Sequence, residues 1–305
     1  MVRGEPGVTN LAIKLDVDTL RGYLQGVPRL LDLCARRKTA GGAGLKMSVF
    51  FSFGPDNSGK AIRRIFRKGF LTKMFRTKAP STYGWRTLLY GTLLPAPLIV
   101  PAKPEIFGRA CGEGHDCGVH AWDHVFVQDK LPSISAADFR AMYEKAAELF
   151  EKISGRKPVS YAAPGWQASN ASLSVLDDLG LRYASDTRGR SPFIPAYRGK
   201  KFKTPQIPTT LPTMDEVLGL PGVNDETLPD LWMGGMTNEW NVLTIHAEME
   251  GISKLEVFAK FLGKAEAAGV NFVTLSEIAA RAEIPPGEII SGTLPGRAGT
   301  VAVQG

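Results

Sequence analysis

The chain has 305 residues, of which 44% are hydrophobic and 22% charged; these values are typical of globular proteins and exclude wholesale disorder and collagen-like fibres. Its net charge of +7 comes from one segment, because eight Lys and Arg residues lie between positions 60 and 78 and no acidic residue occurs from 57 to 104. This local basic run indicates an acidic polymer or an anionic surface as a partner.

The cysteine count and the apolar runs restrict the compartment. Three cysteines are too few for a disulfide scaffold, and the odd number fits a reducing environment. The first 16 residues contain no apolar signal segment, and no apolar run reaches about 18 residues. We therefore expect neither export nor a membrane-spanning helix.

Strands and helices alternate along the chain. Period-two patterns and apolar runs predict strands at 11–18, 46–53, 118–120, 160–164, 181–185, 242–245 and 270–275. Helical periodicity and capping residues predict helices at 26–37, 135–154, 169–179 and 253–268. Such alternation predicts an α/β fold with a parallel sheet or barrel, and six or seven strands are fewer than the eight of a closed barrel. The residues after 282 are rich in Gly and Pro and are predicted to be irregular.

Polar side chains follow the predicted strands where each strand ends. Asp16 and Asp18 end the first strand, and Asp186 ends the fifth. Side chains at i and i+2 of a strand point to the same face, roughly 7 Å apart along the chain. Two carboxylates placed in this way are unfavourable unless a cation or a proton resolves them. A pair of turn or capping aspartates is the alternative.

Three of the four histidines lie in or just after strands. His120 and His124 have the i, i+4 spacing that lets two imidazoles converge on one cation, and His246 ends the sixth predicted strand. With one carboxylate they would form a two-His, one-Asp site with open positions. We expect His115, which precedes a strand between two cysteines, to be structural.

Several longer strings carry a resemblance. They read LDVDTLRGYLQGVPRLLDL, VFFSFGPDNSG, STYGW, GVHAWDH, PGW, SDTRG, QIPTTLPTMDEV, TIHAEMEG and, in the tail, PPGEIISGTLPGRAG. The chain resembles the polysaccharide deacetylases of the NodB-homology type (carbohydrate esterase family 4), which are metal-dependent amide hydrolases. Within them it resembles the deformylases of lipid A modification. The resemblance implies an incomplete or distorted (β/α) barrel over residues 8–282, an insertion at about 57–104 after the second strand, and a tail at 283–305.

The resemblance also assigns roles to residues. Asp18, His120 and His124 would hold one divalent metal ion, for which Zn, Mn and Co all suit the ligand set. Asp16 would be the general base and His246 the general acid, with Asp186 orienting the His246 imidazole. The predicted pocket residues are Trp166, Trp122 and Tyr83.

The chain departs from the family pattern on one strand. The family has an Arg-x-Pro motif whose arginine pairs with the base aspartate, whereas this chain reads Tyr-Ala-Ala-Pro-Gly-Trp at 161–166. We expect Arg188, which follows Asp186 at a strand end, to take the place of that arginine and to be a catalytic residue.

The implied reaction is hydrolysis of the formamide of undecaprenyl-phosphate-linked 4-deoxy-4-formamido-L-arabinose, a step of lipid A modification and of resistance to cationic peptides such as polymyxin. Deacetylation of N-acetylated glycans, of chitooligosaccharide or peptidoglycan type, is the alternative within the enzymes. A catalytically dead lipid-binding protein is the alternative outside them. The metal content of the purified protein would distinguish such a lipid-binding protein from both enzymes.

The basic insertion fits a lipid-linked substrate. Apolar and basic residues alternate there at near-helical spacing, as in an interfacial amphipathic helix: Arg63, Arg64, Phe66, Arg67, Lys68 and Phe70. An uncharged apolar stretch follows at 87–102, and an ordinary packed hairpin is the alternative for both. We expect peripheral binding to an anionic membrane surface, at the cytoplasmic face of the bacterial inner membrane. No nucleic-acid motif accompanies the run, so we expect no nucleic-acid partner.

Overall fold

The computed structural model describes residues 9–37, 42, 44–61, 84–237, 239–280, 284–297 and 299–305. Its strands are β1 Asn10–Val17, β2 Ser48–Ser52, β3 Asp116–Ala121, β4 Ser160–Tyr161, β5 Tyr183–Ala184, β6 Ile194–Tyr197, β7 Lys200–Lys201, β8 Trp240–His246, β9 Asn271–Val273, β10 Pro286–Gly292 and β11 Val301–Gln304. Its α-helices are α1 Val27–Arg36, α2 Pro104–Gly112, α3 His124–Lys130, α4 Ala136–Ser154, α5 Asn170–Asp178, α6 Met214–Val217, α7 Leu228–Gly235, α8 Leu255–Ala267 and α9 Leu275–Ala279.

Seven parallel strands form the main sheet. Their order is β5-β4-β3-β2-β1-β8, and β9 pairs with the first residues of β1. Helices connect the parallel strands, as crossover connections in α/β proteins require. The predicted incomplete or distorted (β/α) barrel is confirmed. Among the helices that the structure describes, none combines the length and the apolar content needed to cross a bilayer.

The two faces of strand β1 lie in different environments, because its side chains alternate between them. Leu11, Ile13 and Leu15 point to the larger apolar core, which the helices cover. Ala12 points to the other face and packs with Phe50 in a second, smaller core. Because side chains alternate along a strand, Lys14, Asp16 and Asp18 continue the face of Ala12 toward the carboxyl end of β1. The acidic pair therefore sits above a short apolar layer inside the half-barrel.

The tail is not irregular, which corrects the prediction for residues 283–305. Strand β10 pairs parallel with β6 and antiparallel with β11, and these strands form a second sheet of order β11-β10-β6-β7. Ile289 and Ala302 are buried in an apolar cluster with Phe193 and Phe202. Each of these strands contributes only one or two side chains to that cluster, so neither has a clear apolar alternation. The Gly and Pro residues around them therefore predicted an irregular tail.

Two π-helical turns pack against each other beside the sheet. Gly22–Gly26 precedes α1, and Met249–Ser253 follows the loop after β8. A Cβ on Gly26 would lie 1.8 Å from the carbonyl oxygen of Ala247, the residue after His246. Only glycine fits at this contact, so the position of the β8 end depends on the missing side chain.

We expect Gly26→Ala to destabilise the protein by about 1–3 kcal/mol, because the added methyl group must displace the backbone at Ala247. Chemical denaturation measures the loss. Gly108→Ala is the matched control: Gly108 lies in α2, and a Cβ there would meet no atom within 4 Å. Equal stability of the two variants would contradict the packing argument.

Candidate active site

Three predicted metal ligands converge at the carboxyl end of the sheet. His120 lies on β3, His124 is the first residue of α3, and Asp18 follows β1. His120 Nε2 lies 3.2 Å from Asp18 Oδ1, and His124 Nε2 lies 3.3 Å from Asp18 Oδ2. The three ligand atoms are all within 4.8 Å of one another. In the described part of the chain, no other set of three His, Cys, Asp or Glu side chains is this close.

Hydrogen bonds fix both histidines. His120 Nδ1 lies 2.7 Å from the carbonyl oxygen of Ala162, which can only accept, so Nδ1 carries a proton and Nε2 is the ring nitrogen that faces Asp18. His124 is held by the start of α3. There Asp123 caps the helix by accepting from the Phe126 N–H and also accepts from Asn57 Nδ2 at 2.6 Å.

These contacts fit a divalent cation. His120 Nε2 and the carboxylate oxygen Asp18 Oδ1 face each other at 3.2 Å, and both are acceptors in the neutral imidazole that ligates a metal ion. Asp18 Oδ1 is buried without a hydrogen-bond partner. A cation between them resolves this conflict, and the carbonyl on Nδ1 is the outer partner that ligating histidines have in metal sites. Two imidazoles and one carboxylate suit Zn²⁺ and its neighbours.

Asp16 lies one layer below Asp18 on the same face of β1. Its Cα is paired with that of His246 across the β1–β8 ladder, so the two residues stand at the same level of the sheet. Asp16 Oδ2 lies 3.3 Å from Lys14 Nζ, whereas Oδ1 is buried without a hydrogen-bond partner. The carboxylate therefore has one oxygen in an ion pair and one available for a proton.

His246 ends β8 among carboxylates. Burial lowers the pKa of the imidazole, but Asp215, Asp18 and Glu250 together raise it by more, so the pKa is raised from 6.5 to about 9. Glu250 Oε2 accepts the backbone N–H of His246 at 2.9 Å. His246 Nδ1 is buried without a hydrogen-bond partner. The side chain carries a proton at neutral pH and can give it up.

The sequence is similar to curated proteins over almost its full length. It is 36% identical over 98% of this chain and 96% of the relative to the "Probable 4-deoxy-4-formamido-L-arabinose-phosphoundecaprenol deformylase ArnD" of Shewanella sediminis. The protein of the same description from Wigglesworthia glossinidia brevipalpis is 31% identical over 93% of this chain and 98% of its own length. The family model of the polysaccharide deacetylases matches residues 82–184. The chain belongs to this deformylase family of the polysaccharide deacetylases.

Solved structures share the fold at low sequence identity. A Mycobacterium smegmatis protein assigned to the polysaccharide deacetylases has a TM-score of 0.63 and 17% identity, with 91% of each chain covered. The Bc1960 peptidoglycan N-acetylglucosamine deacetylase has a TM-score of 0.55 and 15% identity, also with 91% of each chain covered. Together with the deformylase relatives, this fold makes the chain a hydrolase of linear amide bonds.

Asp186 does not contact His246, contrary to the role that the family resemblance implied. Its Oδ1 accepts the Ala163 N–H at 2.8 Å, and its Oδ2 accepts from Gln206 Nε2 at 3.1 Å. Burial raises the pKa of Asp186 to about 6 against the lowering effect of these two hydrogen bonds. The carboxylate that acts most strongly on His246 is instead Asp215 in α6, whose Oδ1 accepts from Thr213 Oγ1.

Arg188 does not pair with Asp16 either, so that prediction is wrong. Its Nη1 donates to both carboxylate oxygens of Glu216, at 3.0 and 2.9 Å, and its Nη2 donates to the carbonyl oxygen of Leu211. The cation beside Asp16 is Lys14. The sequence contains this signal, because the spacing of two residues places Lys14 and Asp16 on the same face of the strand.

The predicted pocket residues have different surroundings. Trp166 is buried with a positive φ of 52°, and the guanidinium carbons of Arg188 and Arg297 lie 5.0 and 4.5 Å from its ring centre. Trp122 is half-buried, and Lys145 Nζ lies 4.2 Å from its ring centre. Tyr83 lies outside the described residues. The pocket role of all three stays a prediction.

The amphipathic segment also lies outside the described residues, with all six predicted membrane residues: Arg63, Arg64, Phe66, Arg67, Lys68 and Phe70. The apolar stretch after it is described and contains two short 3-10 turns, Thr87–Leu89 and Val100–Ala102.

His115 has the structural role that we expected. Its Nδ1 accepts the Met47 N–H at 3.0 Å, which requires an unprotonated ring nitrogen. Burial lowers the pKa of His115 to about 4, so this acceptor is retained at neutral pH.

We expect Asp18→Asn to weaken binding of Zn²⁺ or Mn²⁺ by more than about 100-fold, beyond the 10–100-fold loss that is typical of outer partners. Asp16→Asn is the control, because Asp16 is outside the converging set, and its affinity should stay within about tenfold of wild type. Titration calorimetry of the metal-free proteins measures both. Wild-type affinity in Asp18→Asn would exclude the site.

Proposed function

We propose that this protein hydrolyses the formamide of undecaprenyl-phosphate-linked 4-deoxy-4-formamido-L-arabinose, with one divalent metal ion held by Asp18, His120 and His124. The observation that carries the proposal is the meeting of these residues with Asp16 and His246 at one end of the sheet. The substrate follows from the two deformylase relatives, which match this chain over 98% and 93% of its length.

The chain's own residues divide the proton transfers. When bound, the metal ion polarises the formamide carbonyl and acidifies water. Asp16 removes a proton from the attacking water through Oδ1, the oxygen without a hydrogen-bond partner. His246 gives its proton to the leaving nitrogen as the C–N bond breaks, so formate and the free amino sugar are released. Asp215, the carboxylate that raises the pKa of His246 most, favours the protonated imidazole until that step.

The assay that tests the proposal uses metal-loaded protein and the formamido-arabinose lipid in detergent micelles. We expect loss of the formyl group by mass spectrometry, at least about 100-fold slower turnover by metal-loaded Asp16→Asn, and no reaction with an N-acetylated chitooligosaccharide run in parallel. General-base removal typically costs about 10²–10⁴-fold in rate. Reaction with the glycan alone would overturn the lipid substrate while leaving an amide hydrolase.

We further propose that the protein binds the anionic membrane surface that holds this lipid, as a peripheral protein at the cytoplasmic face. Three large apolar side chains near the site support this: Trp85 is 68% exposed, Leu93 80% and Leu98 43%. We call these three residues the apolar rim. Leu98 forms a β-bridge with Pro55, and the Ile99 N–H donates to the Gly54 carbonyl oxygen, so the Leu98 end of the rim is joined to the loop after β2.

That loop also contacts the metal site. Asn57 Nδ2 donates to Asp123, the residue before His124. A membrane that receives the apolar rim therefore lies on the side of the half-barrel where the ligands converge. Exposed aromatic and leucine side chains gain free energy at the interface of the bilayer, and the basic segment adds about 1 kcal/mol for each Lys or Arg near an anionic leaflet.

We expect the triple variant Trp85→Ser, Leu93→Ser, Leu98→Ser to bind anionic vesicles about tenfold or more weakly in a flotation assay. Val159→Ser is the control, since Val159 is an exposed apolar residue before the amino end of β4. Deletion of residues 60–78 should remove the salt dependence of binding. Full retention of the triple variant and of the deletion variant on vesicles would contradict membrane binding by this face.

A further inference from the structure

Lys14 is completely buried on the inner face of β1, with 0% of its surface exposed. Its Nζ donates to the Ser185 carbonyl oxygen at 3.2 Å and lies 3.3 Å from Asp16 Oδ2. The rings of Phe50 and Trp166 flank it, with their centres at 5.6 and 5.8 Å from Nζ. The ammonium group thus has one carbonyl, one carboxylate and two aromatic faces around it.

Burying an ammonium group in an apolar layer is costly unless a partner of opposite charge and further hydrogen bonds compensate for lost water. Lys14 stands directly above the small apolar core that contains Ala12 and Phe50, where a strand would otherwise carry an apolar residue. Stability alone gives no reason for a charge there, because buried ion pairs are often no more stable than apolar replacements. A role at Asp16 gives one.

We propose that Lys14 is the positioning residue of Asp16. The ion pair holds Asp16 Oδ2 in place, and Oδ1 is left as the oxygen that accepts the proton of the attacking water. This inference rests on the proposed function, in which Asp16 is the general base. It assigns to a lysine two residues earlier on the same strand the contact that the family obtains from an arginine on a neighbouring strand.

The arginines that could pair with Asp16 in place of Lys14 are either bound elsewhere or absent from the matching position. The Arg188 guanidinium donates to Glu216 and to the Leu211 carbonyl oxygen. At the carboxyl end of β4, where the family's arginine motif would lie, the chain has the small buried residues Ala162 and Ala163. Lys14 reaches Asp16 without a contribution from β4, because its spacing of two from Asp16 places both side chains on one face of β1.

The test compares Lys14→Met, Lys14→Arg and a control. We expect metal-loaded Lys14→Met to lose about 100-fold in kcat, the size of effect that a displacement of about 1 Å produces at a catalytic group. KM and metal content should stay at wild-type values. Lys14→Arg keeps the charge and should recover at least tenfold of the lost kcat. Lys46→Met is the control, because the Nζ of this half-buried lysine donates to the remote Glu113 carbonyl oxygen.

A second measurement does not depend on turnover. In a double-mutant cycle of urea unfolding, Lys14→Met and Asp16→Asn should be strongly non-additive, since each single variant leaves one buried charge without its partner. If Lys14→Met does not fold, the double variant should fold again for the same reason. Additive effects, or a double variant that is still unfolded, would overturn the pairing.

The outcomes separate the two proposals. If the wild-type enzyme does not attack the formamide, the proposed function fails, and the unfolding cycle still decides whether Lys14 and Asp16 are coupled. If the wild-type enzyme is active and Lys14→Met has the same kcat, the positioning role fails and the function stands. Loss of kcat without recovery in Lys14→Arg would assign Lys14 to packing alone.

Discussion

The site depends on the two-residue period of β1 inside a curved parallel sheet. One face of β1 must be apolar throughout, because helices cover it, and its side chains lie in the larger core. The other face changes from apolar Ala12 to Lys14, Asp16 and finally Asp18 over three steps of two residues. This face of β1 therefore changes from apolar to charged toward the carboxyl edge of the half-barrel. There β3, β8 and the start of α3 contribute histidines, and α/β barrels have their chemistry at the same edge.

The neighbouring elements supply what β1 lacks. Strand β3 and helix α3 contribute His120 and His124, and β8 places His246 level with Asp16 in the ladder. The His120 side chain is held by a backbone carbonyl, whereas the backbone at His124 and at His246 is fixed by a helix cap and by a hydrogen bond to Glu250. The constellation is thus built from strand register and helix capping, which are rigid. Preorganised groups of this kind need little rearrangement during a reaction.

Much of this could be predicted from the sequence. The alternation at 11–18 predicted the strand, its face and the acidic pair, and the spacing of His120 and His124 predicted their convergence. The partner of His246 could not be predicted in this way, because Asp215 lies in α6, well before β8 in the chain, and acts on His246 only in the folded chain. The partner of Asp16 could be predicted, because Lys14 shares a face of β1 with it. Family resemblance misled at the same points, because it transferred an arginine contact to Arg188 and an orienting carboxylate to Asp186.

Strand β11 connects the second sheet to the backbone of Trp166 and Arg188. Its Ala302 donates its N–H to the Trp166 carbonyl oxygen and accepts from the Arg188 N–H, and Gln304 donates to the Arg188 carbonyl oxygen. Residues 301–304 follow Asp16, Asp18 and all four histidines in the chain. Removal of residues 301–304 would therefore leave every one of those side chains in place while the backbone of Trp166 and Arg188 loses three hydrogen bonds.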